Sequence, residues 1–487
     1  MNQSPIFATD FYKTGHGPQY PEKTEHVYSN FTARGSRMAG VDHVVVWFLQ
    51  AFIKQRLIRD FNEKFFSQPK HKVLAEYQRR MDRSLGAGVV GVEHLAELHD
   101  LGYLPLRIKA LPEGTLCPMK TPVLTIRNTD PRFFWLTNFV ETMLSAELWH
   151  PMTCATIAWE YRKLLQAFAE KTSDQAFLVP WQGHDFSMRG QTSLTSAAQG
   201  GSGHLLSFTG TDTIPAIELL EELYEGYRSP MVGGSVPATE HSVMCLGGKE
   251  TELETFRRII TKVVPKGIVS VVSDSWDYWN VIDGILPVLK EEILKREGKV
   301  VVRPDSGDPV KIICGDPSGT FAIERMGTVE ALWQIFGGTV NSRGYKELNP
   351  KIGVIYGDSI TLEIARQILA NLEEKGFAST NVVFGIGSYT YQHVTRDTFG
   401  FAMKATWGKV NGQTCEIFKD PKTDSGFKKS ARGLIRVNAD LTYTDQVTKE
   451  EESKGMLDTV FLNGKLMREQ TLEDVRKRLL SNLGGTA

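Results

Sequence analysis

The stretch Val236-Pro237-Ala238-Thr239-Glu240-His241-Ser242 sets an imidazole beside a carboxylate. Neutral imidazole is a good nucleophile near pH 7, and a neighbouring carboxylate fixes its tautomer, so His241 could accept a phosphoryl group. Glu240 is adjacent in sequence, and Asp274 could reach it from the next strand. Arg303-Pro304-Asp305-Ser306-Gly307 follows an apolar run: the guanidinium suits phosphate and the carboxylate suits the paired hydroxyls of a ribose. Asp358 offers a second ribose acceptor, and the turn Gly385-Ile386-Gly387-Ser388 could hold phosphate on its backbone N–H groups. Phe186 and Arg189 stand three apart and could sandwich a flat, electron-poor ring. Arg396, Lys404, Lys419, Lys428 and Lys429 form a downstream basic set suited to diphosphate.

These residues need a scaffold that brings them together. From residue 176 onward, apolar strand-like runs alternate with helices. The runs are Phe177 to Pro180, Leu205 to Phe208, Ile268 to Val272, Val300 to Val302, Gly353 to Tyr356 and Val382 to Phe384. The helices between them include Thr213 to Tyr224, Leu253 to Val264, Trp279 to Arg296 and Leu362 to Lys375. Such alternation predicts an α/β fold with a parallel sheet closed, or nearly closed, into a βα barrel. Each run is followed by small and acidic residues, and in a βα barrel catalytic residues gather at the C-terminal ends of the strands. Any one of these residues could simply cap a helix or form a turn. Their recurrence at six strand ends favours a site.

The flanking segments read differently. Residues 42 to 66 have helical periodicity, Leu104 to Ala110 and Pro122 to Arg127 read as strands, and Pro131 to Leu148 and Cys154 to Lys171 read as two helices. Phe401 to Trp407 and Thr414 to Phe418 flank a Lys409-Val410-Asn411-Gly412 hairpin signal. The expected division is an α+β domain over 1–150, completed by 399–487, and a barrel over 151–398.

Composition excludes several classes. The 487 residues carry 56 basic and 57 acidic side chains, a net charge of -1, leaving no global field to draw nucleic acid or an anionic membrane. Five scattered cysteines without a CxxC pair indicate neither a zinc site nor a disulfide framework. No apolar run approaches a membrane span, and the N-terminus does not resemble a signal peptide, so a cytoplasmic protein is expected. Neither GxGxxG nor a Walker-A sequence occurs.

Nine motifs appear in order: Ala8-Thr9-Asp10-Phe11-Tyr12-Lys13; His184-Asp185-Phe186 with Arg189-Gly190; Gly210-Thr211-Asp212-Thr213; Ser235 to Ala238 with Glu240-His241-Ser242; Ser270 to Ser275; Arg303 to Gly307; Gly357-Asp358; Thr395-Arg396-Asp397; and Phe418 to Pro421. Together they resemble the nicotinamide phosphoribosyltransferase family over essentially the whole chain. The resemblance implies a type II phosphoribosyltransferase fold: an irregular βα barrel with a second α+β domain built from the N- and C-terminal segments. It implies transfer of phosphoribosyl from 5-phosphoribosyl 1-diphosphate to nicotinamide in NAD salvage. ATP would be hydrolysed as co-substrate through a phosphorylated His241, oriented by Glu240 and Asp274.

By the same resemblance, Phe186 stacks on the pyridine opposite Tyr12 of the partner subunit in a homodimer with shared sites. Arg189 and Asp212 hold the carboxamide, Arg303 the 5-phosphate, and Asp305 and Asp358 the ribose. Asp10, Gly357, Gly387 and Ser388 complete the substrate set. Arg396, Lys404 and Lys419, with Arg34 of the partner subunit, take diphosphate or ATP, and Mg2+ is held mainly through the diphosphate. Family members carry a glycine run where this chain has Gly387-Ser388-Tyr389, and the lysines of the loop from Lys422 to Arg432 are shifted. Two other readings stay open: a nicotinate phosphoribosyltransferase, and a non-catalytic nucleotide-binding or signalling protein on the same fold.

Overall fold

A computed structural model describes residues 4–357, 359–419 and 431–485. The chain forms two units, one from residues up to 156, 222–226 and 394 onward, the other from Ile157–Glu221 and Tyr227–His393.

The second unit is built on six parallel strands: β1 (Gly183–Asp185), β2 (Gly210–Thr211), β3 (Lys266–Val272), β4 (Glu297–Arg303), β5 (Ile352–Tyr356) and β6 (Val382–Ile386). Their spatial order is β2-β1-β6-β5-β4-β3, every neighbouring pair parallel. The two edge strands are joined by a segment with no regular strand of its own. Gly234 bridges Gly210 on β2, and Ala238 bridges Ser270 on β3, both in parallel. The ring is thereby closed, and the carboxyl ends of all six strands open on one rim.

Sequence and structure differ at the first two strands. Residues 176–178 and Val179–Gln182 are helical turns, and β1 starts only at Gly183. The run at Leu205 continues the end of helix Leu194–His204 and turns into β2 at Gly210. Pro180 sits in the first turn of its helix, where no N–H is required, so an apolar run that reads as a strand winds instead. The remaining four strands lie where the apolar runs put them.

The first unit carries a seven-stranded antiparallel sheet. Its order is Gln413–Glu416, Phe401–Val410, Thr24–Ala33, Pro122–Asn128, Leu106–Ala110, Asp458–Leu462 and Lys465–Leu466. Residues 42 to 66 are not one helix. His43–Val45 pairs with Leu116–Pro118, and Phe48, at φ 73°, turns the chain before helix starts at Leu49. The two helices expected around residue 150 are a single one, Glu141–Thr172, that passes through Pro151. Leu148, Met152, Cys154 and Ala155 are fully buried around it, and that packing offsets the hydrogen bond proline cannot make.

A polar node binds the distant segments of this unit. Glu113 Oε1 accepts from the Gln50 N–H at 2.7 Å, and Gln50 and Gln470 exchange backbone and side-chain bonds of 2.8 and 2.9 Å. Glu113 Oε2 is buried without a hydrogen-bond partner among the described residues. Burial pushes this carboxyl up to about 7, although contacts from Gln50 and Tyr224 oppose the rise. The folded protein therefore holds a proton there that the unfolded chain releases near pH 4.5. Stability from this group is present below that value and is lost as pH rises through about 7. Glu113→Gln should raise the melting temperature by a few degrees at pH 8 and change it little at pH 5, as read by calorimetry. An equal shift at both pH values would contradict this.

Candidate active site

The strand-end residues meet on the open rim of the barrel. Two histidine–carboxylate pairs dominate it, with inverted burial. His184 Nε2 lies 3.0 Å from Asp212 Oδ1, with side-chain exposures of 10% and 45%. His241 Nε2 lies 3.1 Å from Asp274 Oδ1, with exposures of 50% and 4%. In the first pair the carboxylate faces solvent and in the second the imidazole does.

Asp212 also accepts from the Ser235 hydroxyl on the same oxygen. Burial pushes its carboxyl up, but the bonds from His184 and Ser235 outweigh that, and it is held below the usual carboxylate range. Among the described residues Oδ2 has no partner, so an ionised acceptor points outward. Asp274 Oδ2 accepts from the Asp305 N–H at 3.1 Å, which ties the end of β3 to the end of β4. Since a carboxylate can only accept, His241 donates from Nε2 and keeps its lone pair on Nδ1.

Helix capping does not account for these carboxylates. Asp308, Asp277 and Thr361 accept the bonds from the helix N-termini that follow β4, β3 and β5. Asp212 and Asp274 are left for other work.

Phe186 follows β1, its N–H bonded to the Ile386 carbonyl at 3.0 Å. Its ring lies against Gly357 and Gly385. A Cβ at Gly385 would fall 2.5 Å from the ring, and one at Gly357 3.3 Å from it and 2.9 Å from Asp305. Only hydrogen fits at these strand ends while the ring stays. Arg303 stands with its guanidinium 6.0 Å from the Phe186 centroid and donates to the Thr239 carbonyl at 2.8 Å. Its Nε is buried without a hydrogen bond and lies 3.6 Å from Asp305 Oδ1.

Beneath the rim a cavity of about 380 Å³ runs into the barrel. Phe186, Asp212 and Arg303 line its mouth. Val301, Ile355 and Val383 line its walls, and burial lowers the pKa of the Lys299 amine, which also lines it.

Asp185, absent from the sequence-derived set, underlies the rim. It is fully buried and accepts from the Ser187 N–H at 2.9 Å and the Thr213 hydroxyl at 2.7 Å, so one carboxylate clamps the loops that carry Phe186 and Asp212. His204 is equally buried. Desolvation lowers its pKa to about 4, and its Nε2 donates to the Gly210 carbonyl at 2.9 Å, leaving Nδ1 to accept from Tyr391. His184 and Ser235 were missed too, although both lie in quoted motifs. The pairing of β1 with β2 brings His184 to Asp212, and the ring closure brings Ser235 there.

The other expected residues fall as follows. Glu240 does not reach His241; it accepts from Ser242, because the helix begins at His241 and turns the imidazole away. Arg189 lies exposed on the turn Met188–Gly190, and Gly190 leaves room for Ser388, next to Gly387. Asp10, Tyr12, Arg34, Arg396, Lys404 and Lys419 belong to the first unit. Asp10 accepts from Thr142 at 2.6 Å, and Tyr12 is exposed beside Lys13. Arg34 donates to the Gly400 carbonyl, Arg396 pairs with Asp397, and Lys419 is exposed. The Lys404 carbonyl bonds Asn30. Asp358, Lys428 and Lys429 lie outside the described residues. No group of three or more His, Cys, Asp or Glu that could hold a metal ion occurs among the described residues.

The chain is similar to known proteins along nearly its whole length. Residues 181–465 match the nicotinate phosphoribosyltransferase (NAPRTase) family, and residues 4–82 match the nicotinamide phosphoribosyltransferase N-terminal domain. A nicotinamide phosphoribosyltransferase of Acinetobacter baylyi is 56% identical over 99% of this chain and 98% of its own. One of Xanthomonas campestris pv. campestris is 37% identical over 97% of each. Among solved structures, a nicotinate-nucleotide pyrophosphorylase from Pyrococcus furiosus superposes with a TM-score of 0.56, at 15% identity over 99% of this chain and 96% of that one. Human nicotinic acid phosphoribosyltransferase gives 0.55, at 15% identity over 98% and 94%. At that identity the two structures share the fold.

The packing around Phe186 yields a direct test. Gly385→Ala should cost about 1–3 kcal/mol, because the new methyl and the ring cannot both be accommodated. Calorimetry showing no loss of stability would mean that the ring does not rest there.

Proposed function

The chain belongs to the nicotinamide phosphoribosyltransferase family, and we propose that it joins nicotinamide to the phosphoribosyl group of 5-phosphoribosyl 1-diphosphate. The pyridine nitrogen forms a bond to C1 of the ribose as the bond from C1 to diphosphate breaks, giving nicotinamide mononucleotide and diphosphate. The reaction serves NAD salvage, and five cysteines outside any disulfide suit a cytoplasmic setting.

One observation carries the choice of base. Asp212 is ionised, held through one oxygen, and offers the other at the mouth of the cavity beside Phe186. A carboxamide N–H satisfies that acceptor, whereas the carboxylate of nicotinate meets a like charge. Sites built around such a hydrogen bond reject the analogue that lacks the donor. Phe186 supports one face of the pyridine, and Tyr12 of the partner subunit in a homodimer supports the other.

The Nε of Arg303, which makes no hydrogen bond, is a donor for the 5-phosphate, and Asp305 an acceptor for ribose hydroxyls. Arg34 of the partner subunit, with Arg396, Lys404 and Lys419, takes the diphosphate, stabilising the leaving group as the sugar becomes cationic. Magnesium travels with the diphosphate, whose oxygens are its preferred ligands. ATP is a co-substrate. Nδ1 of His241 attacks its γ-phosphate, giving phosphohistidine and ADP, while Asp274 holds the Nε2 proton.

Initial rates with each base test the assignment. Nicotinamide should exceed nicotinate by at least about 100-fold in kcat/KM, and Asp212→Asn should narrow that ratio chiefly by weakening nicotinamide use. A clear preference for nicotinate would instead make the protein a nicotinate phosphoribosyltransferase. His241→Ala should abolish both ATP hydrolysis and ATP stimulation while slow, ATP-independent synthesis persists. Undiminished ATP hydrolysis by that variant would remove His241 from the mechanism.

A further inference from the structure

The seven-stranded sheet of the first unit carries an unusual cross-strand pair. Arg107 on Leu106–Ala110 is the register partner of Arg127 on Pro122–Asn128, and Lys109 is the register partner of Thr125. On its other side Arg127 faces Tyr28 of Thr24–Ala33. Register partners and residues two apart share a sheet face, so three cations in two rows point the same way. With Tyr28, Thr125, Leu434 and Glu452 they line a small pocket of about 10 Å³, room for one water-sized group.

The charges in this pocket do not balance. Its one lining carboxylate, Glu452, is bonded to Lys109 at 2.7 Å. Arg107 Nε donates to the Thr459 hydroxyl at 3.1 Å. Among the described residues none accepts a hydrogen bond from the Arg127 guanidinium, and the residue is half-buried. Burial, then the charge on Arg107, lower its pKa. Like charges directly opposite in a strand pair are destabilising.

We propose that this pocket binds a small inorganic anion between Arg107 and Arg127, a halide or one oxygen corner of a phosphate-class ion. Two guanidinium forks and the pocket's polar lining supply the donors, and the bound charge cancels the repulsion across the strand pair. A halide is somewhat larger than water and would sit between the two guanidinium groups at the open side of the pocket, whereas a phosphate would seat one oxygen there and leave the others toward solvent.

Thermal unfolding of the full-length protein, in buffer free of halide and phosphate with ionic strength held by a bulky organic anion, tests the site. Added chloride or added phosphate should raise the wild-type melting temperature by about 2 °C or more. In Arg127→Gln and in Arg107→Gln this increment should shrink or vanish. Phosphate binding at the barrel rim contributes equally to all three proteins, so the difference between them reports the pocket. A response to chloride alone assigns a halide site, and one to phosphate alone assigns an oxyanion site. Wild-type crystals soaked in bromide give a reading independent of any variant, and a halide site should show an anomalous peak between the two arginines. Equal increments in all three proteins for both ions would overturn the proposal.

Discussion

The site depends on how the barrel closes. Six strands leave two open edges, and the chain joins them with a segment that is no strand by its own pairing. The Thr211 N–H donates to the Gly234 carbonyl and the Gly234 N–H to that of Thr209, at 3.0 and 2.9 Å. On the other edge the Ser270 N–H donates to the Pro237 carbonyl and the Thr239 N–H to that of Ser270. Pro237 has no N–H to give, and at this position only its carbonyl is needed. A Cβ at Gly233 would fall 2.8 Å from Leu205, so the approach to the first edge requires glycine there. The same few residues carry Ser235 to Asp212, Thr239 to Arg303 and His241 to Asp274. Closure of the ring and assembly of the rim are one event.

Once the ring is closed, burial divides the labour. Two imidazoles each use Nε2 on a carboxylate, yet the pairs do opposite work. Where the imidazole is buried, its carboxylate becomes a fixed acceptor. Where the carboxylate is buried, its imidazole is left exposed with Nε2 fixed as the donor. Neither role belongs to a residue type. Each follows from which partner stands against the barrel wall.

This explains what was legible in the sequence. Asp212, Asp274, Arg303 and Asp305 stand directly after apolar runs or turns, and the rule that chemistry gathers at strand ends needs no knowledge of distant contacts. His184 acts through a partner 28 residues away on the neighbouring strand, and Ser235 through the same partner 23 residues away across the ring closure, so no local pattern marks them. Glu240 shows the opposite failure. Adjacency in sequence suggests that it orients His241, but a helix starting at His241 sends neighbouring side chains in different directions. Secondary structure was misread where tertiary packing overrides propensity: at Pro151, inside a helix among buried neighbours, and at Val179–Gln182, an apolar turn that reads as a strand. β1 and β2 have three and two residues and include the glycines and polar groups of the rim itself, so their composition reports the site rather than the strand.

The depressed pKa of Asp212 carries the argument about selectivity one step further. A carboxylate acceptor could in principle admit an anionic ligand by taking up a proton, at a cost that falls as its pKa approaches the working pH. His184 and Ser235 push the pKa away from neutrality and close that route. Both also occupy the same oxygen and leave the other as an acceptor. On the proposed role of Asp212, rejection of a charged base would rest on the two side chains that hold the acceptor and would persist into mildly acidic conditions.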